Sequence, residues 1–290
     1  MAEKPDLKFT SMAEAVHKFE EQFQAQSEED FFPTGLAQHD QTLGRLRRKT
    51  LTLVGARPSM GKTAFLLCAA LNQLKLGIRV YYFTLEMSEA DMIARLVSIK
   101  TGIPLFDILE RRMDDDRSRR IVGALPDIAL LHGEWSEETN LKKIESLLAK
   151  VEPGSRSIVY VDFLGLVRVP GMDATQQYAV TTEIGLGLQR AAMVLNIPIV
   201  AAVQLNRQIE LRKEKHPILA DLRDSGRLEE AAYTALGLYR PRFGLKDKDN
   251  ELQVFCLKNK NGPVENYVLG WDGPCARVKA ASKLSWTEVA

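Results

Sequence analysis

Thr50-Leu51-Thr52-Leu53-Val54-Gly55-Ala56-Arg57-Pro58-Ser59-Met60-Gly61-Lys62-Thr63 joins a β-branched strand signal to a loop of small residues, and a helix-length segment follows. A strand before and a helix after form the setting that a phosphate-binding loop requires. The loop and helix N-terminus present backbone N–H groups that can cradle phosphate oxygens. Lys62 can place its charge on the β and γ phosphates, and the Thr63 hydroxyl can reach Mg²⁺. Ala56 stands where the usual pattern has its first glycine, with Gly55 just before it. The eight residues Ala56, Arg57, Pro58, Ser59, Met60, Gly61, Lys62 and Thr63 are therefore expected to hold a nucleotide.

Outward from this loop, short apolar runs alternate with helical stretches. Helices are expected over 61–76, 88–100, 137–150 and 180–195, and strands over 50–54, 79–83, 128–131, 157–161 and 198–203. Strands separated by helix-length crossovers imply a parallel sheet covered on both faces. Beyond Thr234 the texture changes. Runs at 253–258 and 264–269 flank Asn261-Gly262, a hairpin signal that predicts an antiparallel edge. Residues 169–177, with Pro170, Gly171 and two glutamines, are expected to form a mobile loop. The first 30 residues hold eight acidic against three basic side chains. Phe9, Met12, Val16, Phe19 and Phe23 recur there at spacings of three and four, one face of an amphipathic helix. That face either folds back on its own domain or docks on a neighbouring subunit.

Composition narrows the function classes. The chain has 290 residues, 45% hydrophobic and 27% charged, which is enough for one large core without staples. Three cysteines, Cys68, Cys256 and Cys275, are an odd number without zinc-ligand spacing, so neither a disulfide framework nor a structural zinc site is expected. A net charge of +1 gives no global field for nucleic acid, so any such contact must be local. No apolar run approaches the length of a membrane span. The start, Met1-Ala2-Glu3-Lys4-Pro5, lacks the apolar core of a leader, so a cytoplasmic protein without membrane contact is expected.

Phosphate-binding loops serve kinases, GTPases and ATPases alike, and the other strand ends choose among them. Asp162 closes the run Ile158-Val159-Tyr160-Val161 and could hold Mg²⁺ through water. Glu86 lies just past Phe83 and could orient or deprotonate an attacking water, although capping of the following helix is a dull alternative. Gln204 follows the 198–203 run and could sense a γ-phosphate. Together the three favour hydrolysis of bound nucleotide. Residues 204–227 hold six basic against four acidic side chains, a loop that can track phosphates without reading bases or can simply be a solvated surface. Tyr178 is the nearest candidate for base stacking.

A longer series of motifs makes a family resemblance specific. In order, they are Thr34-Gly35, Leu43-Gly44, the loop itself, Phe83-Thr84-Leu85-Glu86-Met87-Ser88 and Val161-Asp162-Phe163-Leu164. Gln204-Leu205-Asn206-Arg207, Asp221-Leu222-Arg223-Asp224-Ser225-Gly226, Tyr239-Arg240 and Lys258-Asn259-Lys260-Asn261-Gly262-Pro263 follow. From about Thr34 to Trp271 the chain resembles the C-terminal motor domain of DnaB-type hexameric replicative DNA helicases. The resemblance implies an α/β, RecA-like P-loop NTPase with a mostly parallel central sheet, an antiparallel C-terminal edge and an N-terminal linker helix. It makes Glu86 the catalytic glutamate, Asp162 the second Mg²⁺-site residue beside Thr63, and Gln204 the γ-phosphate sensor. Lys258 and Lys260 match a basic pair inserted into the neighbouring subunit's ATP site, and Arg240 falls in the nucleotide-binding set. Arg223, Asp224 and Gly226 fall where the family contacts single-stranded DNA, with Arg207 and Arg212 in the same stretch.

By the same resemblance the partners are ATP, Mg²⁺, single-stranded DNA, further copies in a hexameric ring, and a helicase loader or primase. The activity is ATP-driven 5′ to 3′ translocation. The expected division is an acidic N-terminal segment over 1–33, a motor domain over 34–273 and a tail over 274–290. Three features depart from the pattern. Lys260 stands where the family has arginine, and lysine lacks the planar fork that grips a phosphate with two bonds. Gly185 and Gly187 weaken the helix that contains them, by about 1 kcal/mol each relative to alanine. The helical collar domain of full-length relatives has no counterpart here, which suggests a small phage- or plasmid-borne helicase or a trimmed accessory relative. Two rivals remain: an ATPase that assembles on single strands without unwinding, and a P-loop kinase.

Overall fold

The computed structural model describes residues 11–25, 30–134, 140–172, 177–245, 248–260 and 262–281, with side chains throughout except at 22, 25, 177, 178 and 223–227. Its centre is β1 (Leu51–Ala56), buried along its whole length. The other strands are β2 (Arg79–Thr84), β3 (His132–Glu134), β4 (Ser157–Asp162), β5 (Ile199–Gln204), β6 (Thr234–Tyr239), β7 (Glu251–Asn259), β8 (Tyr267–Asp272) and β9 (Arg277–Lys279). They form one sheet in the order β3-β2-β4-β5-β1-β6-β7-β8-β9. Strands β1 to β6 pair in parallel, and β7 to β9 are antiparallel. The mostly parallel sheet and its antiparallel C-terminal edge are as expected.

Helices cover both faces, as the near-continuous apolar strands demand. The helices are α1 (Met12–Ala25), α2 (Ala37–Thr42), α3 (Lys62–Lys75), α4 (Glu89–Thr101), α5 (Leu105–Leu109), α6 (Asp115–Ile128), α7 (Leu141–Leu148), α8 (Gln177–Leu195) and α9 (Gly226–Ala231). Because successive strand residues face opposite ways, Val54 and Ala56 pack with α3, α4 and α6, whereas Leu51 and Leu53 pack with α7, α8 and α9. In α3 the run from Ala64 to Leu71 is buried almost throughout. Each large side chain there contributes about 1.5–3 kcal/mol by leaving water. That burial fixes the helix whose first residues are Lys62 and Thr63.

Four details differ from the reading of the sequence. The expected strand at 128–131 is instead the end of α6 and a turn, and the strand follows at β3. Asp114 caps α6 by accepting from Arg117 N at 2.7 Å, and Ala124 and Ile128 are buried four residues apart, the helical period. Strand β6 carries a weak signal because it contains Ala235 and Gly237, yet it pairs with β1 and joins the two halves of the sheet. Strand β9 lies inside the stretch read as a tail. Finally, the glycine penalty in α8 has a packing reason: a Cβ on Gly185 would lie 2.2 Å from Leu228 Cδ1, so the glycine lets α9 approach.

Within α1, Met12, Val16, Phe19 and Phe23 are between 49% and 78% exposed, so this face does not fold back on its own domain. Phe9, Asn261 and residues 173–176 of the expected mobile loop lie outside the described residues. Cys68, Cys256 and Cys275 are free and buried. No helix among the described residues is long and apolar enough to cross a membrane.

Candidate active site

β1, β4 and β5 all end at the same edge of the sheet, and Ala56 is the register partner of Gln204. The chain leaves β1 through a loop in which Ser59 and Gly61 both have positive φ, at 64° and 98°. Gly61 suits that backbone, and it also lies against Trp271, whose Cζ3 a Cβ would meet at 3.0 Å. Helix α3 begins at the next residue, so its unpaired N–H groups open onto the loop. Arg57 braces the loop from one side, donating to the Glu210 carboxylate at 2.7 Å and the Leu205 carbonyl at 2.8 Å. Met60 packs on the core from within, while Pro58 and Ser59 are exposed.

Arg240 braces the other side. Its buried guanidinium lies over Trp271 at 4.2 Å and Phe243 at 4.8 Å, donates to the Ser59 carbonyl at 2.8 Å, and pairs with Asp249. The residue expected to touch nucleotide thus holds the loop's backbone. Between the two braces a cavity of about 320 Å³ opens beside Pro58 and Met60, closed by Leu238, Tyr239 and Phe243.

At the loop's far end Lys62 Nζ lies 3.4 Å from the Ala56 carbonyl. Burial pulls its ammonium below the ordinary lysine range, and the nearby Asp162 and Glu86 pull it back. Asp162 is 1% exposed, and burial raises its carboxyl above the ordinary range, against the Thr63 hydroxyl, a Tyr82 hydrogen bond and Lys62. One of its oxygens, Oδ1, is buried without a well-formed hydrogen bond among the described residues, with the Thr63 hydroxyl close enough to stabilise the carboxylate. A buried carboxylate oxygen beside a threonine hydroxyl is the donor set of a hydrated divalent cation. Glu86 is exposed at the end of β2. Capping does not explain it, because Ser88 caps α4 by accepting from Asp91 N at 3.2 Å. Gln204 is exposed at the end of β5.

The structure thus gathers Lys62, Thr63, Asp162, Glu86 and Gln204 at one end of the sheet. It does not bring Lys258 and Lys260 there. β6 pairs Thr234 with Thr52 on one side and Asn259 on the other, so the two lysines flank the opposite end. From Thr52 to Ala56 is about 13 Å of strand. Lys258 is half-buried and donates to the Glu229 carbonyl at 2.5 Å. The strand stops at Asn259, so the exposed Lys260 begins a turn.

The 204–227 stretch runs as 3₁₀ turns over Arg207–Leu211 and Leu219–Ser225 and then α9 from Gly226. Arg207 is exposed. Arg212, expected to face DNA, instead closes the stretch on itself, donating to Asp221 at 2.6 Å and to the His216 carbonyl at 2.9 Å. Asp221 is 6% exposed, and its burial demands such a partner. The side chains of Arg223 and Asp224 lie outside the described ones, as does that of Tyr178.

The model of the DnaB-like helicase C-terminal domain matches residues 32–280. The chain belongs to that family. It is similar to the replicative DNA helicase DnaB of Helicobacter pylori strain 26695, with 32% identity over 239 residues, 80% of this chain and 48% of that protein. The chain spans about half the length of the curated relatives it matches. Among solved structures, a DnaB-like replicative helicase described with its interactions with primase superposes with a TM-score of 0.85 at 27% identity. That match covers 93% of this chain and 68% of that one. A second solved structure, of an ATPase domain, gives 0.81 at 27% identity, over 94% of this chain and 100% of that one. The fold is therefore that of the RecA-like ATPase domains in this family.

Proposed function

We propose that the chain is the ATP-hydrolysing motor of a replicative-type DNA helicase, acting as a ring of identical subunits that moves 5′ to 3′ on single-stranded DNA in the cytoplasm. One observation carries this reading: in a chain of the helicase family, Asp162 keeps a buried oxygen without a well-formed hydrogen bond beside Lys62 and Thr63, where the phosphate loop meets the sheet. The residues Ala56 to Thr63 bind the phosphates, Lys62 neutralises the β and γ oxygens, and Thr63 and Asp162 hold Mg²⁺. When bound, Mg²⁺ would supply charge neutralisation to the phosphates. Glu86, exposed and close to Lys62, accepts a proton from the attacking water, and Gln204 reports the γ-phosphate through its amide. The apolar cavity beside Met60 has room for the base, and Arg240 sets the loop's shape.

Lys258 and Lys260 serve the next subunit's nucleotide, which supports a ring with heterologous interfaces. The exposed face of α1 docks on a neighbouring copy. Arg207, Arg223, Asp224 and Gly226 face DNA phosphates, with Arg212 holding their loop. A loader or primase completes the set of partners.

Forked duplexes carrying either a 5′ or a 3′ single-stranded tail test the reading. Strand separation that requires ATP and the 5′ tail is expected. DNA-stimulated hydrolysis without separation would favour an ATPase that assembles on DNA without unwinding, the reading that Lys260 in place of arginine supports. Phosphoryl transfer to an acceptor other than water would make it a kinase.

A further inference from the structure

Tyr82 takes no part in the assignments above, yet its hydroxyl donates to Asp162 Oδ2 at 3.0 Å in the buried interior. The contact follows from register. Tyr82 pairs with Tyr160 and Thr84 with Asp162, so all four side chains share the face beneath α3. The Tyr82 and Tyr160 rings stack with centroids 5.7 Å apart and 21° between planes. Tyr160 donates in turn to Gln73 Oε1 at 2.7 Å, and Gln73 Nε2 donates to the Pro33 carbonyl at 3.0 Å. Tyr82, Tyr160 and Gln73 are each no more than 1% exposed, so neither ring has room to swing.

This stack leaves the carboxylate one orientation. Its Oδ2 is occupied by the phenol, and its Oδ1 is buried without a well-formed hydrogen bond among the described residues. The Thr84 hydroxyl oxygen, at the paired strand position, is likewise buried and unpartnered among the described residues. A phenol O–H facing a carboxylate oxygen at this distance donates to it. A hydrogen bond to one oxygen of a metal-facing carboxylate fixes where the other oxygen points, and removing such partners weakens metal binding by roughly 10–100-fold.

We propose that Tyr82 is a positioning residue for Mg²⁺. By holding Asp162 through Oδ2, it aims Oδ1 at the hydrated cation and so sets how strongly Mg²⁺ enhances nucleotide binding. The inference rests on the nucleotide reading above. Its test is the affinity of the full chain for a fluorescent ADP analogue, measured in EDTA and across a Mg²⁺ titration. Tyr82→Phe keeps the ring and removes only the hydroxyl. Its affinity in EDTA should equal that of the unaltered chain, which also reports an intact fold. The enhancement by Mg²⁺ should fall about tenfold. In an Asp162→Asn background, Tyr82→Phe should add no further loss, because the hydroxyl acts through that carboxylate. Equal Mg²⁺ enhancement in Tyr82→Phe and the unaltered chain would overturn the inference. So would an equal loss in EDTA and in Mg²⁺, the mark of a purely structural role. An unaltered chain whose binding Mg²⁺ did not enhance would also overturn it, whereas one that bound no nucleotide in EDTA or in Mg²⁺ would overturn the nucleotide reading itself.

Discussion

His39 lies 2% exposed between Phe65 and Tyr267, with Nδ1 2.5 Å from the Tyr267 hydroxyl. Burial lowers its pKa from 6.5 to about 4, so the folded chain refuses a proton that the unfolded chain accepts. Stability from this group is complete above pH 6.5 and is lost as pH falls toward 4. Between pH 7 and pH 5 the loss is about 2 kcal/mol. Urea denaturation at the two values should show that difference, and His39→Gln should lose less on acidification. An unchanged slope would mean that His39 is not the group responsible. Asp162 and Glu86 show the same environmental logic at the site: one acid is sealed in the sheet, the other is open to water, and only the open one has room to meet a reactant.

Among the elements, α8 and α9 show why propensity and packing must be weighed together. Alanine at Gly185 would gain about 1 kcal/mol in helix propensity. It would also drive a Cβ to 2.2 Å from Leu228 Cδ1, and Leu228 is fully buried. Overpacking of that kind costs about 1–3 kcal/mol. The net loss of up to about 2 kcal/mol means that Gly185→Ala should lower the thermal midpoint by about 1–3 °C. A raised midpoint would show that Leu228 finds another rotamer. Because α9 begins at Gly226, such a shift would also be felt in the loop proposed to meet DNA.

At the scale of the whole molecule, the placement of basic and apolar groups supports the proposed assembly. Lys258 and Lys260 stand at the far end of the sheet from this chain's own phosphate loop, and α1 presents four large apolar side chains to solvent. Both are accounted for if the chain works beside copies of itself. Phe19→Asp, on the middle of that face, should shift the assembly toward monomer in light scattering while leaving the fold intact. An assembly that survives the change would remove α1 from the interface.

The phosphate loop was legible in the sequence because strand, small-residue loop and helix are consecutive and each has its own local signal. The parallel order of the strands followed from the helix-length crossovers, and the motifs carried the family. Strand β6 was not legible, because Gly237 and Ala235 weaken a strand pattern whose stability comes from pairing with β1 and β7. The charge of Arg212 gave no hint that it closes on Asp221, since that pair forms across a fold of the loop. Tyr82 read as one more apolar strand residue. Local pattern determined most of the strands and helices and the small-residue loop that joins β1 to α3. Only the tertiary structure decided what each polar side chain faces: register set Tyr82 against Asp162, and strand direction put Lys258 and Lys260 far from their own chain's loop at residues 56–63. Those contacts join residues distant in sequence, and no local propensity encodes them.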